Sequence, residues 1–302
     1  MDWLVGTRNG LLDASGRRLL DGREITSLAA VTDGWWVLAD GDEVLRVRGT
    51  DVEPVVSVEG ETGRCLLPIG DAALVGTANA RLASVRAGTS ELLSAFDAAE
   101  GRDGWYTPWG GPPDTRSLAA GPDGAVFANV HVGGILRSDD PREVWTPTID
   151  IDADVHQVVA DPTVAGHVVA ATARGLAESH DGGGSWAFSA EGLHAPYSRA
   201  VALHGDALFL SASTGPRGGR AAVYRRGPGA EVFERCEVGL PEWVDGNVDS
   251  HCLAAAEGGV VFGTEDGRVF ASADGGRSWD PVATGLGRVT CAGVGVLGQG
   301  AT

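Results

Sequence analysis

Short apolar runs recur along the whole chain, and each is followed by glycine, threonine or a polar turn. Seven of these runs align as one repeated strand with a spacing of roughly 32 to 52 residues. They are residues 4–7, 36–39, 74–77, 126–129, 168–171, 208–211 and 260–263. This spacing accommodates four short strands per repeat, which is typical of the blades of a β-propeller. No helical pattern is long enough to predict a long helix.

A second set of runs marks the first strand of each repeat. These runs begin near Ile25, Arg64, Arg116, His156, Arg199 and His251, and a seventh covers residues 289–294. Because no such strand precedes Leu4, we expect the C-terminal strand to complete the N-terminal blade, which removes open sheet edges. The prediction is an all-β, seven-bladed β-propeller spanning residues 1–302 as one domain. Its closing blade contains one C-terminal and three N-terminal strands. Six blades is the alternative if residues 21–58 are not a blade.

An eight-residue motif of the form S-x-D-x-G-x-S-W follows the third strand of the repeat at residues 179–186 and 272–279. A partial copy at residues 138–145 retains the Ser, Asp and Trp. An Asp side chain can accept hydrogen bonds from nearby backbone N–H groups, glycine supplies positive φ, and Trp buries a large ring. The motif predicts a structural turn built by Ser179, Asp181, Gly183 and Trp186, and again by Ser272, Asp274, Gly276 and Trp279.

This motif and its repeat resemble the Asp box, or BNR repeat, of the sialidase-like and WD40/YVTN-like β-propellers. The chain is also similar to bacterial glycosyl-hydrolase-like proteins and to Asp-box photosystem II assembly factors. The resemblance implies a propeller with structural Asp boxes. For a sialidase it further implies an arginine triad, an Asp acid/base and a Tyr–Glu pair, and Arg64, Arg116 and Arg199 could form the triad. The chain has no F/Y-R-I-P motif and no identifiable Glu partner for Tyr197, which argues against sialidase activity.

Charge and cysteine content restrict the expected binding partners and cellular compartment. The net charge is −18, and all 23 basic residues are Arg. An acidic surface argues against binding to nucleic acid or to an anionic membrane. The four cysteines lack the C-x-x-C spacing, so we expect buried free thiols in a reducing compartment. We find no signal-peptide pattern and no transmembrane run, and we expect a cytoplasmic monomer.

Candidate site residues follow from where the first strands converge, at the mouth of the central channel. The first strands contribute Thr26, Arg64, Arg116, His156, Arg199, His251 and Arg288. The preceding loops add Asp152, Asp154, Tyr197 and Asp249, and the turns between second and third strands add Arg8, His131, Arg174 and Arg217. Two loops exceed the repeat, at residues 97–115 and 236–250, and they carry Trp105, Tyr106, Trp109, Trp243 and Asn247.

A cluster of arginines at one mouth requires compensation, since two guanidinium groups about 7 Å apart repel by roughly 2.4 kcal/mol at an effective dielectric near 20. One alternative is neutralisation by Asp152, Asp154 and Asp249. Another is an anionic ligand bound by Arg64, Arg116, Arg199, His131, Asp249 and Asn247. A third is a divalent metal ion held by His131, His156 and His251, with Asp154 or Asp249 as the carboxylate partner. We expect His167, His180, His194 and His204 to be surface or packing residues.

These alternatives lead to two hypotheses of function. The first is a binding or scaffold protein whose mouth accepts an anionic small ligand or a protein partner. The second is a hydrolase or lyase acting on a carboxylated or phosphorylated substrate, with or without a metal ion. In the second hypothesis His156 or His251 is the acid/base, and Asp154 and Tyr197 are further catalytic candidates. No cofactor other than a divalent metal is predicted.

Overall fold

Seven four-stranded antiparallel sheets make up the computed structural model, which describes residues 1–108 and 110–295. Six sheets each use four consecutive strands. The seventh joins the C-terminal strand β28 (Val289–Val294) to β1 (Trp3–Thr7), with Val5 opposite Ala292. The sheets are the blades of a seven-bladed propeller, so the predicted blade number and closing blade are confirmed.

The first four blades cover the chain from residue 25 to residue 189. Blade 1 comprises β4 (Ile25–Val31), β5 (Gly34–Ala39), β6 (Glu43–Arg48) and β7 (Asp51–Ser57). Blade 2 comprises β8 (Gly63–Ile69), β9 (Ala72–Thr77), β10 (Leu82–Arg86) and β11 (Thr89–Leu92). Blade 3 comprises β12 (Thr115–Ala120), β13 (Val126–Val130), β14 (Gly134–Ser138) and β15 (Thr146–Pro147). Blade 4 comprises β16 (Val155–Ala160), β17 (Val168–Thr172), β18 (Gly175–Ser179) and β19 (Ala187–Ser189).

The remaining blades complete the ring. Blade 5 comprises β20 (Val201–His204), β21 (Ala207–Ala212), β22 (Ala222–Arg226) and β23 (Glu234–Arg235). Blade 6 comprises β24 (Leu253–Ala256), β25 (Gly259–Gly263), β26 (Val269–Ser272) and β27 (Asp280–Ala283). Blade 7 adds β2 (Gly10–Asp13) and β3 (Arg18–Asp21) to β28 and β1. Within the described residues, helical structure is limited to an α-helix at Ser94–Asp97 and 3-10 turns at Arg102–Gly104 and Ile151–Ala153.

The burial of the strands explains the apolar runs. Every residue of β13, β17, β21 and β25 is buried. Second strands are covered on both faces by neighbouring blades, so they are continuously apolar rather than alternating. Phe127 of blade 3, for example, shares one apolar cluster with Val158 and Ala170 of blade 4. Fourth strands such as β7 and β27 lie at the outer edge and are largely exposed.

The S-x-D-x-G-x-S-W motif forms the turn that was predicted between third and fourth strands. In the copy after β18, Asp181 Oδ1 accepts a hydrogen bond from Ser185 N at 2.8 Å, and Ser179 Oγ accepts one from Gly183 N at 2.8 Å. Gly183 has a φ of 91°, where a side chain would collide with Thr148. The copy after β26 repeats these bonds. Asp274 Oδ1 accepts from Ser278 N, Ser272 Oγ accepts from Gly276 N, and Trp279 is buried.

The four cysteines, Cys65, Cys236, Cys252 and Cys291, are buried and free, as expected. Burial raises the pKa of Cys236 and Cys291 to about 12, so both remain protonated thiols at neutral pH. No helix within residues 1–108 and 110–295 has the length and apolar character that a membrane crossing requires.

Candidate functional site

One irregularity in strand pairing recurs where the first strand of each blade approaches the central channel. In five blades, the pairing between first and second strands skips one residue. A β-bulge of this kind turns a side chain away from its usual direction. The skipped residues are Thr26, Arg64, Arg116, His156 and Thr290. Arg199 and His251 precede the first strands of blades 5 and 6 at the corresponding place.

These side chains surround a cavity of about 650 Å³ at the channel mouth. Of the residues predicted as ligand-binding or catalytic, eight line it: Arg64, Arg116, His131, Asp154, Tyr197, Arg199, Asp249 and His251. His156 is buried directly behind Tyr197, with ring centroids 4.9 Å apart. Asn247 does not line the cavity. It is buried behind the cavity wall, where its Nδ2 donates a hydrogen bond to the carbonyl of the lining residue Pro216 at 3.3 Å. The structure therefore brings eight of the ten residues predicted as ligand-binding or catalytic together around one cavity.

Arg199 is held in place by Asp249. Its Nη1 donates to Asp249 Oδ1 at 2.6 Å, and the other carboxylate oxygen accepts from Arg288 at 2.8 Å. Burial by itself would raise the pKa of Asp249, but Arg199 and Arg288 lower it below the ordinary range. The Arg199 guanidinium also donates to the Pro216 carbonyl and to Tyr197 Oη. Arg199 is therefore neutralised internally, and Arg288 supports Asp249 from beside the cavity.

Arg64 and Arg116 are held much less tightly. The nearest carboxylate oxygen to the Arg116 guanidinium belongs to Asp114, at 3.5 Å. Arg64 is exposed in the cavity wall, and it has no ion pair or hydrogen bond within the part of the chain that the structure describes. The cavity wall contains three arginines and three aspartates, namely Arg64, Arg116, Arg199, Asp114, Asp154 and Asp249. The charges balance in number, but only the Arg199 pair is close.

Two histidines and a carboxylate meet on one side of the cavity. Asp154 Oδ1 lies 3.4 Å from His131 Nε2 and 3.7 Å from His156 Nε2. The His131 contact lowers the pKa of the Asp154 carboxyl below its usual value. Both histidines are buried, and their ring centroids are 5.9 Å apart. The chain brings these groups from the β13–β14 turn, the loop before β16 and the bulge in β16.

His156 is oriented on both sides of its ring. Its Nδ1 donates to the Ser198 carbonyl at 2.7 Å, and its Nε2 lies 3.1 Å from Tyr197 Oη. Burial lowers the pKa of His156 to about 4, so the ring is neutral at physiological pH. A neutral ring that donates from Nδ1 must accept at Nε2, so Tyr197 donates its hydroxyl proton to His156. This pair can take part in proton transfer at the cavity wall.

His251 occupies a different side of the mouth. Its Nε2 donates to the Arg116 carbonyl at 2.8 Å, and its burial lowers its pKa. Among the described residues, the trio of metal-ligating side chains at the mouth is His131, Asp154 and His156. His251 thus positions the backbone that carries Arg116. The Asp154 carboxylate lies beside His131 and His156.

Other sequence candidates lie outside the cavity. Four residues were predicted from the turns between second and third strands, and of these His131 lines the mouth. Arg174 instead stacks on Phe188, with its guanidinium carbon 4.4 Å from the centre of the ring. Asp152 is exposed at the end of its loop. In the two long loops, Trp105 packs on Phe96 and Trp243 packs on Arg235. Trp109 lies outside the described residues.

Five residues that line the cavity were not predicted from the sequence: Pro108, Asp114, Pro216, Ser250 and Thr290. Asp114 directly precedes the first strand of blade 3, so the rule that identified Asp249 could have found it. Thr290 holds the bulge position in the first strand of blade 7, where Arg288 was the residue predicted from sequence. A strict alignment of the bulges would have identified it. Pro108 and Pro216 belong to irregular loops and carry no comparable signal.

No family model and no curated protein matches the chain. Solved structures similar to it include "YCF48 bound to D1 peptide", with 17% identity and a TM-score of 0.57 over 85% of this chain and 81% of that chain. A GH74 enzyme from Niastella koreensis shows 13% identity and a TM-score of 0.61 over 92% of this chain and 46% of that one. The chain therefore spans about half the length of that enzyme.

A chain of the nidogen/laminin complex shows 10% identity and a TM-score of 0.57 over 97% of both chains. At these identities the likeness establishes the β-propeller fold and nothing finer. The turns have the hydrogen bonds expected of Asp boxes, but the BNR family assignment has no family match behind it and stays a resemblance.

Proposed function

We propose that this propeller binds a small anionic molecule, one that carries a carboxylate or phosphate group, in the cavity at its channel mouth. The observation that carries the proposal is the unequal pairing of the mouth arginines. Arg199 is 2.6 Å from its carboxylate, whereas Arg116 is 3.5 Å from the nearest one. Arg64 has no ion pair at all within the described chain. The volume of the cavity is within the range of small-molecule sites.

An oxyanion that enters the cavity would meet Arg64 and Arg116 and would exchange part of their hydration for bidentate hydrogen bonds. Arg199 is less suited to this role, because Asp249 already occupies its guanidinium. The anion therefore completes a charge arrangement that the protein leaves open on one side of the mouth. We further propose a cytoplasmic location, since four free thiols suit a reducing compartment.

Calorimetric titration with inorganic phosphate, citrate and galacturonate tests the proposal. We expect one of these anions to bind, and the Arg64→Ala/Arg116→Ala double variant to bind it at least about 100-fold more weakly. The reason is that each charge-assisted hydrogen bond contributes about 1.5–3 kcal/mol. The matched control is Arg17→Ala/Arg86→Ala, which removes two exposed arginines outside the cavity and changes the net charge equally.

Equal affinity in the two double variants would overturn the role of the mouth arginines. Absence of binding by all three anions would favour a protein partner. YCF48 bound to D1 peptide provides a precedent for a protein partner in this fold, although only for that protein.

The Tyr197–His156 pair supports a second candidate function, a hydrolase or lyase that acts on the bound anion. Its supporting observation is the 3.1 Å contact between Tyr197 Oη and His156 Nε2, which places an acid/base pair at the cavity wall beside Arg199. Mass spectrometry after incubation of the protein with an ester or glycoside of the bound anion distinguishes the two functions, because an enzyme yields a new product and a binding protein returns the compound unchanged.

A further inference from the structure

Three potential metal ligands on separate segments converge at the mouth. One potential ligand atom from each of His131, Asp154 and His156 lies within 4.8 Å of the other two. Asp154 Oδ1 is 3.4 Å from His131 Nε2 and 3.7 Å from His156 Nε2. Around a tetrahedral ion with bonds of about 2.1 Å, ligand atoms lie about 3.4 Å apart. The observed separations are thus close to those that a single small ion would impose.

The backbone next to these ligands adopts conformations that L-residues seldom take. Val132, which follows His131, has a φ of 52°, and Asp154 itself has a φ of 49°. A β-branched residue in the left-handed region is a genuine outlier, and such outliers persist where the surrounding structure holds them for a functional reason. His156 sits at a bulge in β16. Asp154, His156 and the residue that follows His131 therefore depart from the regular blade backbone.

The remaining ring nitrogen of each histidine faces an oxygen acceptor. His156 Nδ1 donates to the Ser198 carbonyl at 2.7 Å, and His131 Nδ1 is 3.9 Å from Asp114 Oδ1. Histidines that bind metals almost always direct their second nitrogen to a carbonyl or carboxylate, which orients the ring and makes the other nitrogen a better donor. His156 meets this condition through the Ser198 carbonyl, and the Asp114 carboxylate lies near His131 Nδ1 but beyond hydrogen-bond distance.

We propose that His131 Nε2, Asp154 Oδ1 and His156 Nε2 bind one divalent transition-metal ion of the zinc class. Two imidazoles and one carboxylate are the donors that such ions prefer. Because His131 and Asp154 also line the cavity, an ion held there would be accessible to water or to a ligand oxygen in the cavity. The ion would add two positive charges to a wall whose arginines and aspartates balance in number, and so would strengthen its attraction for anions.

Zinc titration of chelator-treated, dialysed protein tests this site, with a chromophoric chelator as competitor. We expect one zinc ion per chain, and affinity at least about 100-fold lower in Asp154→Asn, since loss of a supporting residue alone typically costs 10–100-fold. Asn tolerates the left-handed conformation of position 154, so the fold should survive. The matched control is Asp152→Asn, an identical change two residues away at an exposed position outside the cluster, and it should bind zinc normally.

Equal zinc affinity in Asp154→Asn and Asp152→Asn would overturn the assignment, as would the absence of stoichiometric zinc in the unmodified protein. If Asp154→Asn does not fold, Co²⁺ substitution in the unmodified protein decides instead. Intense visible bands of four-coordinate Co²⁺ support the site, and only the weak bands of aqueous Co²⁺ contradict it. Zinc binding should persist in Arg64→Ala/Arg116→Ala, so failure of the metal site and failure of the anion proposal are separate results.

Discussion

Two clusters of two histidines and a carboxylate lie at opposite ends of the blade 4 strands, and they differ in what occupies the ring nitrogens. The mouth cluster is His131, which follows β13 of blade 3, with Asp154 and His156 at the start of β16. The back cluster is His167, directly before β17, with Glu178 and His180 at the end of β18. In both clusters, one potential ligand atom from each residue lies within 4.8 Å of the other two. Their hydrogen bonds give them different chemistry.

In the back cluster, carboxylates occupy both nitrogens of His167. Nδ1 is 2.9 Å from Asp161 Oδ2, and Nε2 is 3.0 Å from Glu178 Oε1. Glu178 raises the pKa of His167, and Asp161 adds to this effect. His167 in turn, together with Arg226, lowers the pKa of Glu178 to about 2. A protonated ring that donates from both nitrogens has no lone pair for a metal ion.

In the mouth cluster, the nearest carboxylate oxygen is farther from both rings, and a neutral backbone carbonyl takes one nitrogen of His156. Burial also keeps that ring unprotonated. The same set of residue types therefore forms a structural ion-pair network in one place and a potential metal site in the other. Whether a carboxylate or a neutral group bonds the ring nitrogens of the histidine therefore decides whether the cluster is an ion-pair network or a potential metal site.

The largest expected difference is in stability. Glu178→Gln removes the carboxylate that pairs with both His167 and Arg226, which are mostly buried. Breaking a buried pair costs 3–5 kcal/mol, and partial exposure reduces this cost, so we expect a loss of about 2–3 kcal/mol in unfolding free energy. Urea denaturation measures it. The control is Glu191→Gln, the same change at an exposed position, which should lie within about 0.5 kcal/mol of the parent.

Asp154→Asn at the mouth should cost less than Glu178→Gln, because no arginine among the described residues donates a hydrogen bond to Asp154, whose ion pairs are with His131 and His156. If the two variants are equally destabilised, the mouth cluster is a structural network like the back cluster, and the contrast between them is lost.

Much of the fold could be predicted because its physical cause is local. Apolar second strands recur in every blade, and they are buried between neighbours, so seven of them specify seven blades. The missing strand before Leu4 and the extra strand at residues 289–294 together required closure of the ring. The Asp-box turns were predictable for the same reason, since their hydrogen bonds join residues within the motif.

The partners within the site could not be predicted, because they lie on different blades. Arg199 and Asp249 are separated by 50 positions in sequence, and no local pattern shows that they meet. The sequence predicted His251 as a metal ligand together with His131 and His156. In the structure, His251 Nε2 instead donates a hydrogen bond to the Arg116 carbonyl. His167 was expected to be a surface or packing residue, and its partner Glu178 comes near only when β18 folds beside the loop that carries His167.

The pH dependence of stability gives a smaller effect. The pKa of His167 is raised above 6.5, so its stabilisation is complete below about pH 6.5 and is lost as pH rises through the raised value. The pKa of Glu178 is lowered from 4.5 to about 2, so its stabilisation is complete above pH 4.5 and is lost as pH falls toward 2. The back cluster therefore stabilises the protein most between pH 4.5 and 6.5.

Unfolding free energies of the parent and of His167→Gln, measured from about pH 5 to pH 9, test this dependence. We expect the parent to exceed the variant in unfolding free energy by more near pH 5.5 than near pH 9. A difference that grows with rising pH would contradict a protonated His167 and would make the two clusters alike.

The smallest effect concerns the hydroxyl group of Tyr197, which occupies the nitrogen of His156 that the proposed metal ion would use. A hydrogen bond of this kind contributes about 1 kcal/mol, and it must break before an ion binds, so Tyr197→Phe should bind zinc about fivefold more tightly. The matched control is Tyr224→Phe, which removes a hydroxyl that bonds another histidine, His194, at 2.7 Å. Weaker zinc binding in Tyr197→Phe alone would instead make the phenol oxygen a ligand, and the mouth site would then need four protein groups rather than three.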